Sequence, residues 1–166
     1  MNDIVYPSDE IKTSMYEFYC LIYESKFSLG KKRHLMTATL GYEKWGWRVV
    51  GITKQAVLEI CNNKYKLPKG LQRDHFKKSR KETYDEIFLS KKLSLVEWWG
   101  KVWENDETIL MTKNEHQNHK KLKLNGVIKV DYTLGYFRAG GIGMLFTKRD
   151  GDFVKILNEE LRNELC

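Results

Sequence analysis

A strand that runs directly into a capped helix is the sequence feature that most restricts the fold of this chain. The run ETILM at 107–111 is largely apolar, and Thr112-Lys-Asn-Glu115 follows it. Thr followed three residues later by Glu is a capping box, in which each side chain accepts a hydrogen bond from the other residue's backbone N–H. The pattern predicts a strand that ends near Thr112 and a helix through HQNHKKLK. His116 then lies just inside the first turn of that helix.

An earlier strand is predicted after the turn Leu67-Pro-Lys-Gly70. The run LQRDH at 71–75 has the composition of a short strand, and it ends in the adjacent residues Asp74 and His75. The order of elements in this part of the chain is therefore strand, long connection, strand and helix. Polar residues are common where a strand meets a loop, so Asp74 and His75 have a purely structural explanation as well as a functional one.

Most of the remaining elements are predicted to be helical. Helices are expected over IKTSMYEFYCLIYESKF, KQAVLEICNN, ETYDEIFL and SLVEWWGKVWEN, with a loop at 30–33 and no assignment for GYEKWGWRVVG at 41–51. In SLVEWWGKVWEN, the spacing of Val96, Trp99 and Trp103 predicts a buried stripe. After residue 126, two or three strands with a glycine-rich connection precede a terminal helix. These patterns together predict an α+β fold.

The length of the chain and the positions of its cysteines limit the class of protein to which it can belong. A chain of 166 residues is about the size of one domain, and we expect a single domain over 1–166. The acidic N-terminus lacks an apolar signal core, and no apolar run reaches the roughly 18 residues of a membrane span. The cysteines stand singly at 20, 61 and 166, which argues against a zinc site and favours a reducing cytoplasm. A bacterial or phage-infected cell is compatible with these features.

Positive charge is concentrated beside the RDH sequence. The formal net charge is +7, and the segment 69–81 holds six basic residues against one acid. Clustered cations favour a polyanionic partner, because they displace counterions from phosphates. The predicted nucleic-acid contacts are Lys69, Arg73, Lys77, Lys78, Arg80, Lys81, His119 and Lys120. A solvated surface explains such a run equally well.

The ordered set of RDH at 73–75, Asn105 and His116 resembles the HNH, or His-Me finger, endonucleases. The resemblance covers about 69–122. It implies a ββα-metal core with a helical insertion at about 82–104, N-terminal helices and a C-terminal β-rich segment. It also implies metal-dependent cleavage of DNA, and it leaves a homo-oligomer open.

The resemblance assigns a role to each residue of the set. His75 is the expected general base, because imidazole titrates near neutrality. Asp74 and His116 are the expected ligands of a hard cation, Mg²⁺ or alternatively Mn²⁺. Asn105 is expected to orient His75.

The chain departs from the family's pattern in its spacing. His75 and His116 are 41 positions apart, which is longer than the compact motif. Asp106 adjoins Asn105 and is an alternative central residue. His119, three residues after His116, is an alternative ligand or phosphate contact. Two other functions stay open: a non-catalytic DNA- or RNA-binding protein that uses the 53–81 region, and cleavage of RNA.

Overall fold

The computed structural model describes residues 6–75, 77–118, 126–140 and 143–163. The helices within these ranges are α1 (Asp9–Glu24), α2 (Leu29–Gly41), α3 (Lys54–Asn62), α4 (Arg80–Leu89), α5 (Leu95–Asn105), α6 (Lys113–Asn118) and α7 (Lys148–Asn163). The strands are β1 (Arg48–Thr53), β2 (Leu71–His75), β3 (Glu107–Thr112), β4 (Val127–Lys129), β5 (Ala139–Gly140) and β6 (Gly143–Met144). A 3₁₀ turn spans Tyr132–Leu134. This mixture confirms the predicted α+β class.

A four-stranded mixed sheet in the order β2-β3-β1-β4 is the frame of the fold. β3 runs antiparallel to β2 and parallel to β1, and β4 runs antiparallel to β1. β1 lies in the stretch 41–51 and just beyond it, which had no assignment from sequence. Gly51 lets β4 approach β1 closely, because a Cβ atom at this position would lie 2.6 Å from a side-chain carbon of Val127.

The prediction of a loop at 30–33 is wrong, because these residues lie in the first turns of α2. The Ser28 hydroxyl caps this helix by accepting a hydrogen bond from the Lys31 N–H. Gly30 is exposed with open space around it, so it costs the helix little beyond its intrinsic propensity. Met36 and Leu40 are fully buried and anchor the helix to the core.

Two helices, α4 and α5, lie between β2 and β3, where the sequence predicts a helical insertion at about 82–104. Both begin with a complete capping box, Ser79–Glu82 in α4 and Ser94–Glu97 in α5. The predicted stripe on α5 is wrong at Val96, which is 81% exposed. Trp98 and Val102, four positions apart, are the residues that α5 buries.

The buried side chains of the described residues form two clusters. One lies among the first two helices and the α4–α5 insertion and includes Tyr19, Met36 and Trp98. The other lies between the sheet, α3 and α7 and includes Ile52 and Val154. Among the described residues of the C-terminal part, three short strands precede the 16-residue helix α7. Among the described residues, no helix is long and apolar enough to span a membrane.

Candidate active site and nucleic-acid interface

Hydrogen bonds hold α6 against the ends of β2 and β3. Glu115 accepts from the Thr112 N–H at 2.9 Å and from the Thr53 hydroxyl at 2.8 Å. The Thr112 hydroxyl accepts from the Glu115 N–H at 3.1 Å, which completes the predicted capping box. The Lys113 N–H donates to the Gly70 carbonyl at 2.7 Å, so the start of α6 lies against the turn before β2. The two strands and the helix thus follow the β-β-α order that the resemblance implies.

Asp74 and His116 meet across β2 and α6. The Asp74 Oδ1 atom lies 3.5 Å from the His116 Nε2 atom, and both side chains reach solvent. The two residues are 42 positions apart in sequence, and the β2–β3 pairing with α6 brings them together. These are the two residues that the resemblance names as metal ligands.

His75 points to the opposite face of β2, because successive side chains of a strand alternate. Its Nε2 atom lies 3.4 Å from the Asp106 Oδ1 atom, and its ring centroid lies 5.3 Å from that of Trp47. The His75 side chain is 9% exposed. A carboxylate only accepts hydrogen bonds, so Nε2 is the donor in this contact and Nδ1 is the ring nitrogen that is directed elsewhere.

Asp106 is the centre of a buried ion-pair cluster. Besides facing His75, it accepts a hydrogen bond from the Trp47 N–H at 2.6 Å and one from Arg80 Nη2 at 3.0 Å. Burial by itself raises the pKa of Asp106, but the hydrogen bond from His75 and the charge of Arg80 outweigh it, so the pKa lies below its ordinary value. The carboxylate is therefore ionised at neutral pH.

Asn105, the predicted partner of His75, is the last residue of α5 and is half-buried. Within the described residues it makes no hydrogen bond to His75, whereas Asp106 does. The adjacent residue, which the sequence left as an alternative, is the one that the structure places beside the imidazole. Asp106 lies beside His75 because it is the C-cap residue of α5, where the chain leaves the helix and turns towards β3.

Trp47 is a contact of this cluster that the sequence did not identify. Its indole ring lies under two guanidinium groups, with the Arg80 Cζ atom 3.8 Å and the Arg73 Cζ atom 4.9 Å from the ring centroid. Burial and the nearby charge of Arg80 lower the pKa of Arg73 to about 10. These two arginines, which the sequence predicts to contact nucleic acid, pack against Trp47 and are half-buried.

The lysines of the basic segment differ in how far they are neutralised. Lys77 lies 2.9 Å from Glu107, Lys78 pairs with Glu86, and Lys81 lies 4.0 Å from Asp85. Lys69 is exposed and makes no ion pair with the part of the chain that the structure describes. His119 and Lys120, also predicted contacts, lie outside the described residues. Only part of the predicted basic surface therefore carries uncompensated charge.

The described residues hold no cluster of three or more His, Cys, Asp or Glu side chains suited to a metal ion. Among the described residues, Asp74 and His116 are therefore not joined by a third His, Cys, Asp or Glu side chain at the spacing of metal ligands. Comparisons of the whole chain with known protein families, with curated proteins and with solved structures found no match in any of the three.

Proposed function

We propose that this protein is a metal-dependent endonuclease that hydrolyses DNA phosphodiester bonds by an HNH-type mechanism. The observation that supports this proposal most directly is the contact of Asp74 with His116 across β2 and α6. The cysteines Cys20 and Cys61 are free, which agrees with action in a reducing cytoplasm.

The Asp74–His116 pair fits a single hard cation. The Asp74 carboxylate oxygen and the His116 ring nitrogen are close enough that both would reach one small cation. The observed Oδ1–Nε2 distance is 3.5 Å. Asp74 and His116 would hold the Mg²⁺ or Mn²⁺, which would supply charge stabilisation to the phosphate and the leaving oxygen. Two protein ligands suffice, because Mg²⁺ keeps water and substrate oxygens in its other positions.

His75 is the proposed general base, and Asp106 is its positioning residue. The carboxylate orients the imidazole and stabilises the imidazolium that forms when Nδ1 takes a proton from the attacking water. Asp106 suits this role because it is ionised and is itself held by the backbone of Trp47 and by Arg80. In this proposal Asp106 replaces Asn105 as the central residue of the motif.

The placement of His75 favours a second candidate function. Its side chain is 9% exposed and lies on the face of β2 opposite to Asp74, as expected of a structural ion-pair cluster. In this second candidate function, the protein binds DNA or RNA through the basic surface of its 53–81 region without cleaving it. We rank this function second, because it gives no role to the partly exposed Asp74–His116 pair.

Plasmid nicking separates the two functions. Supercoiled plasmid is incubated with the protein in Mg²⁺, in Mn²⁺ and in a chelator, alongside the variants Asp74→Ala and His116→Ala. Gln117→Ala is the matched control, because Gln117 is an exposed neighbour on the same helix. The proposal expects metal-dependent nicking that both site variants lose and the control keeps.

Two results would contradict the proposal. Binding of plasmid without cleavage in either metal supports the non-catalytic function. Cleavage of a labelled RNA with the matching DNA left intact assigns the site to RNA.

A further inference from the structure

A groove lined by lysines lies on a different part of the molecule, between the turn after α3 and the start of α7. Its walls carry the exposed side chains of Lys64, Lys66, Lys148 and Lys155. The space within it is about 1010 Å³ and includes a part open to solvent. We call these four residues and the space between them the lysine groove. An open groove of this size suits a length of polymer better than a small enclosed ligand.

The groove depends on a conformationally costly turn. Lys64 and Tyr65 both have positive φ, 55° and 56°, in the left-handed region that favours glycine. Gly151 of α7 faces this turn, and a Cβ atom there would lie 3.0 Å from the Tyr65 carbonyl oxygen. The glycine therefore allows the turn and α7 to approach closely, which brings the lysines of both elements to one surface.

Within the described ranges, the lysines that line the groove outnumber its acidic side chains by four to one. None of its four lysines makes an ion pair within the described ranges, and Asp152 is the acidic residue among the lining side chains. The basic segment differs, because Lys77 and Lys78 are paired with glutamates. Unpaired clustered lysines keep their counterions until a polyanion displaces them, and that release is the main source of sequence-independent affinity for nucleic acid.

We propose that the lysine groove binds backbone phosphates of a DNA strand. Tyr65 and Phe146 are half-buried in its walls and give it apolar surface that suits the sugars of a DNA backbone rather than an inorganic anion. The chain continues from the groove through Lys69 into β2. At the usual rise per residue, Asp74 lies about 10 Å along β2 from its first residue, Leu71. The inference rests on the proposed function only in taking this DNA to be the nuclease's substrate.

The test is the salt dependence of DNA binding. Binding of a short labelled duplex is measured by fluorescence anisotropy in a chelator, which prevents metal-dependent cleavage, over a range of salt concentrations. Lys66→Gln with Lys148→Gln removes one charge from each wall and should reduce the slope of log K against log [salt] by about 1.8, since each contact contributes about 0.9. Lys66→Arg with Lys148→Arg should keep the slope.

The matched control is Lys26→Gln with Lys91→Gln. These lysines are also exposed and lie in the loops after α1 and α4, so the net charge changes equally. The inference is overturned by equal losses in the two Gln pairs, by an unchanged slope in the groove pair, or by inorganic phosphate that displaces the duplex as well as unlabelled DNA at equal phosphate concentration.

The same variants distinguish this inference from the proposed function. A wild-type protein that binds DNA through the groove but cuts nothing in Mg²⁺ or Mn²⁺ leaves the inference standing and ends the nuclease assignment. If the protein cuts plasmid but the groove variant keeps the native DNA affinity and salt slope, the inference is overturned and the nuclease assignment stands.

Discussion

Asp106→Ala is expected to be the most destabilising single substitution around the candidate site. The carboxylate is buried and contacts the Trp47 N–H, Arg80 and His75. Arg80 depends on it, because its Nε and Nη1 atoms are buried and make no hydrogen bond within the described part of the chain. Removing the carboxylate leaves a buried guanidinium without its counter-charge and a backbone N–H without its acceptor.

The expected loss follows from that environment. Removing one partner of a buried ion pair costs about 3–5 kcal/mol, because the remaining charge is not solvated. Glu86→Ala is the control, since Glu86 also contacts two cations, Lys78 and Lys101, but is 38% exposed. Exposed pairs of this kind contribute about 0–1 kcal/mol. The two substitutions should therefore differ severalfold in their effect on the free energy of unfolding.

Urea unfolding followed by tryptophan fluorescence measures both losses. Asp106→Asn is the companion variant if Asp106→Ala does not fold, because it keeps the shape of the side chain and an acceptor for the Trp47 N–H. A loss in Asp106→Ala no larger than that in Glu86→Ala would show that the cluster contributes little to stability and that the reasoning is wrong.

The pKa of Asp106 also predicts a pH dependence. The folded pKa is lower than the ordinary 3.8, so the ionised carboxylate stabilises the folded state above that pH. This stabilisation is lost as the pH falls below 3.8 and through the folded pKa. The difference in unfolding free energy between the native protein and Asp106→Asn should therefore be full at neutral pH and narrow below pH 3.8. A difference that stays constant over that range would contradict the assigned direction of the pKa shift.

The remaining predictions concern metal, catalysis and DNA binding. Asp74→Ala and His116→Ala should each weaken Mn²⁺ binding in calorimetry, and His119→Ala should have a smaller effect; the reverse order of the two histidines would move the ligand one turn along the helix. His75→Ala should slow single-turnover cleavage by about 10²- to 10⁴-fold, the usual contribution of a positioned base, while DNA affinity stays nearly unchanged; a folded variant that cuts at the native rate would remove His75 from the chemistry. Lys77→Gln with Lys78→Gln should weaken DNA binding about equally across sequences, but should flatten the salt slope less than the loss of two free contacts, because nearby glutamates already neutralise both lysines. A slope loss equal to that of the groove variant would show that these ion pairs open on binding.

The helix starts around the site were predictable because their signals are local. Thr112 and Glu115 bond each other's backbone three residues apart, and the same holds for Ser94 and Glu97. Such contacts join residues only three positions apart, so they can be recognised from a short stretch of sequence. The α+β class and the order strand, helical insertion, strand and helix followed from these signals.

The tertiary structure decided which environment each side chain at the end of β2 enters. Strand alternation separates the neighbours Asp74 and His75, and the pairing of β2 with β3 and α6 then decides that one meets His116 and the other Asp106. The sequence showed the adjacent pair of residues, but it could not show that the two lie in different environments.

The partners of Asp106 were beyond sequence patterns, because they lie far apart along the chain. It contacts Trp47 across 59 positions, His75 across 31 and Arg80 across 26. β1, which Trp47 immediately precedes, had no periodic signal in a segment broken by glycines, and its place in the sheet depends on pairing with β3 and β4. The residues of the chain thus determined the capped helices and the candidate ligands. Only long-range strand pairing decided which buried charges meet, because that pairing selects contacts that no local pattern encodes.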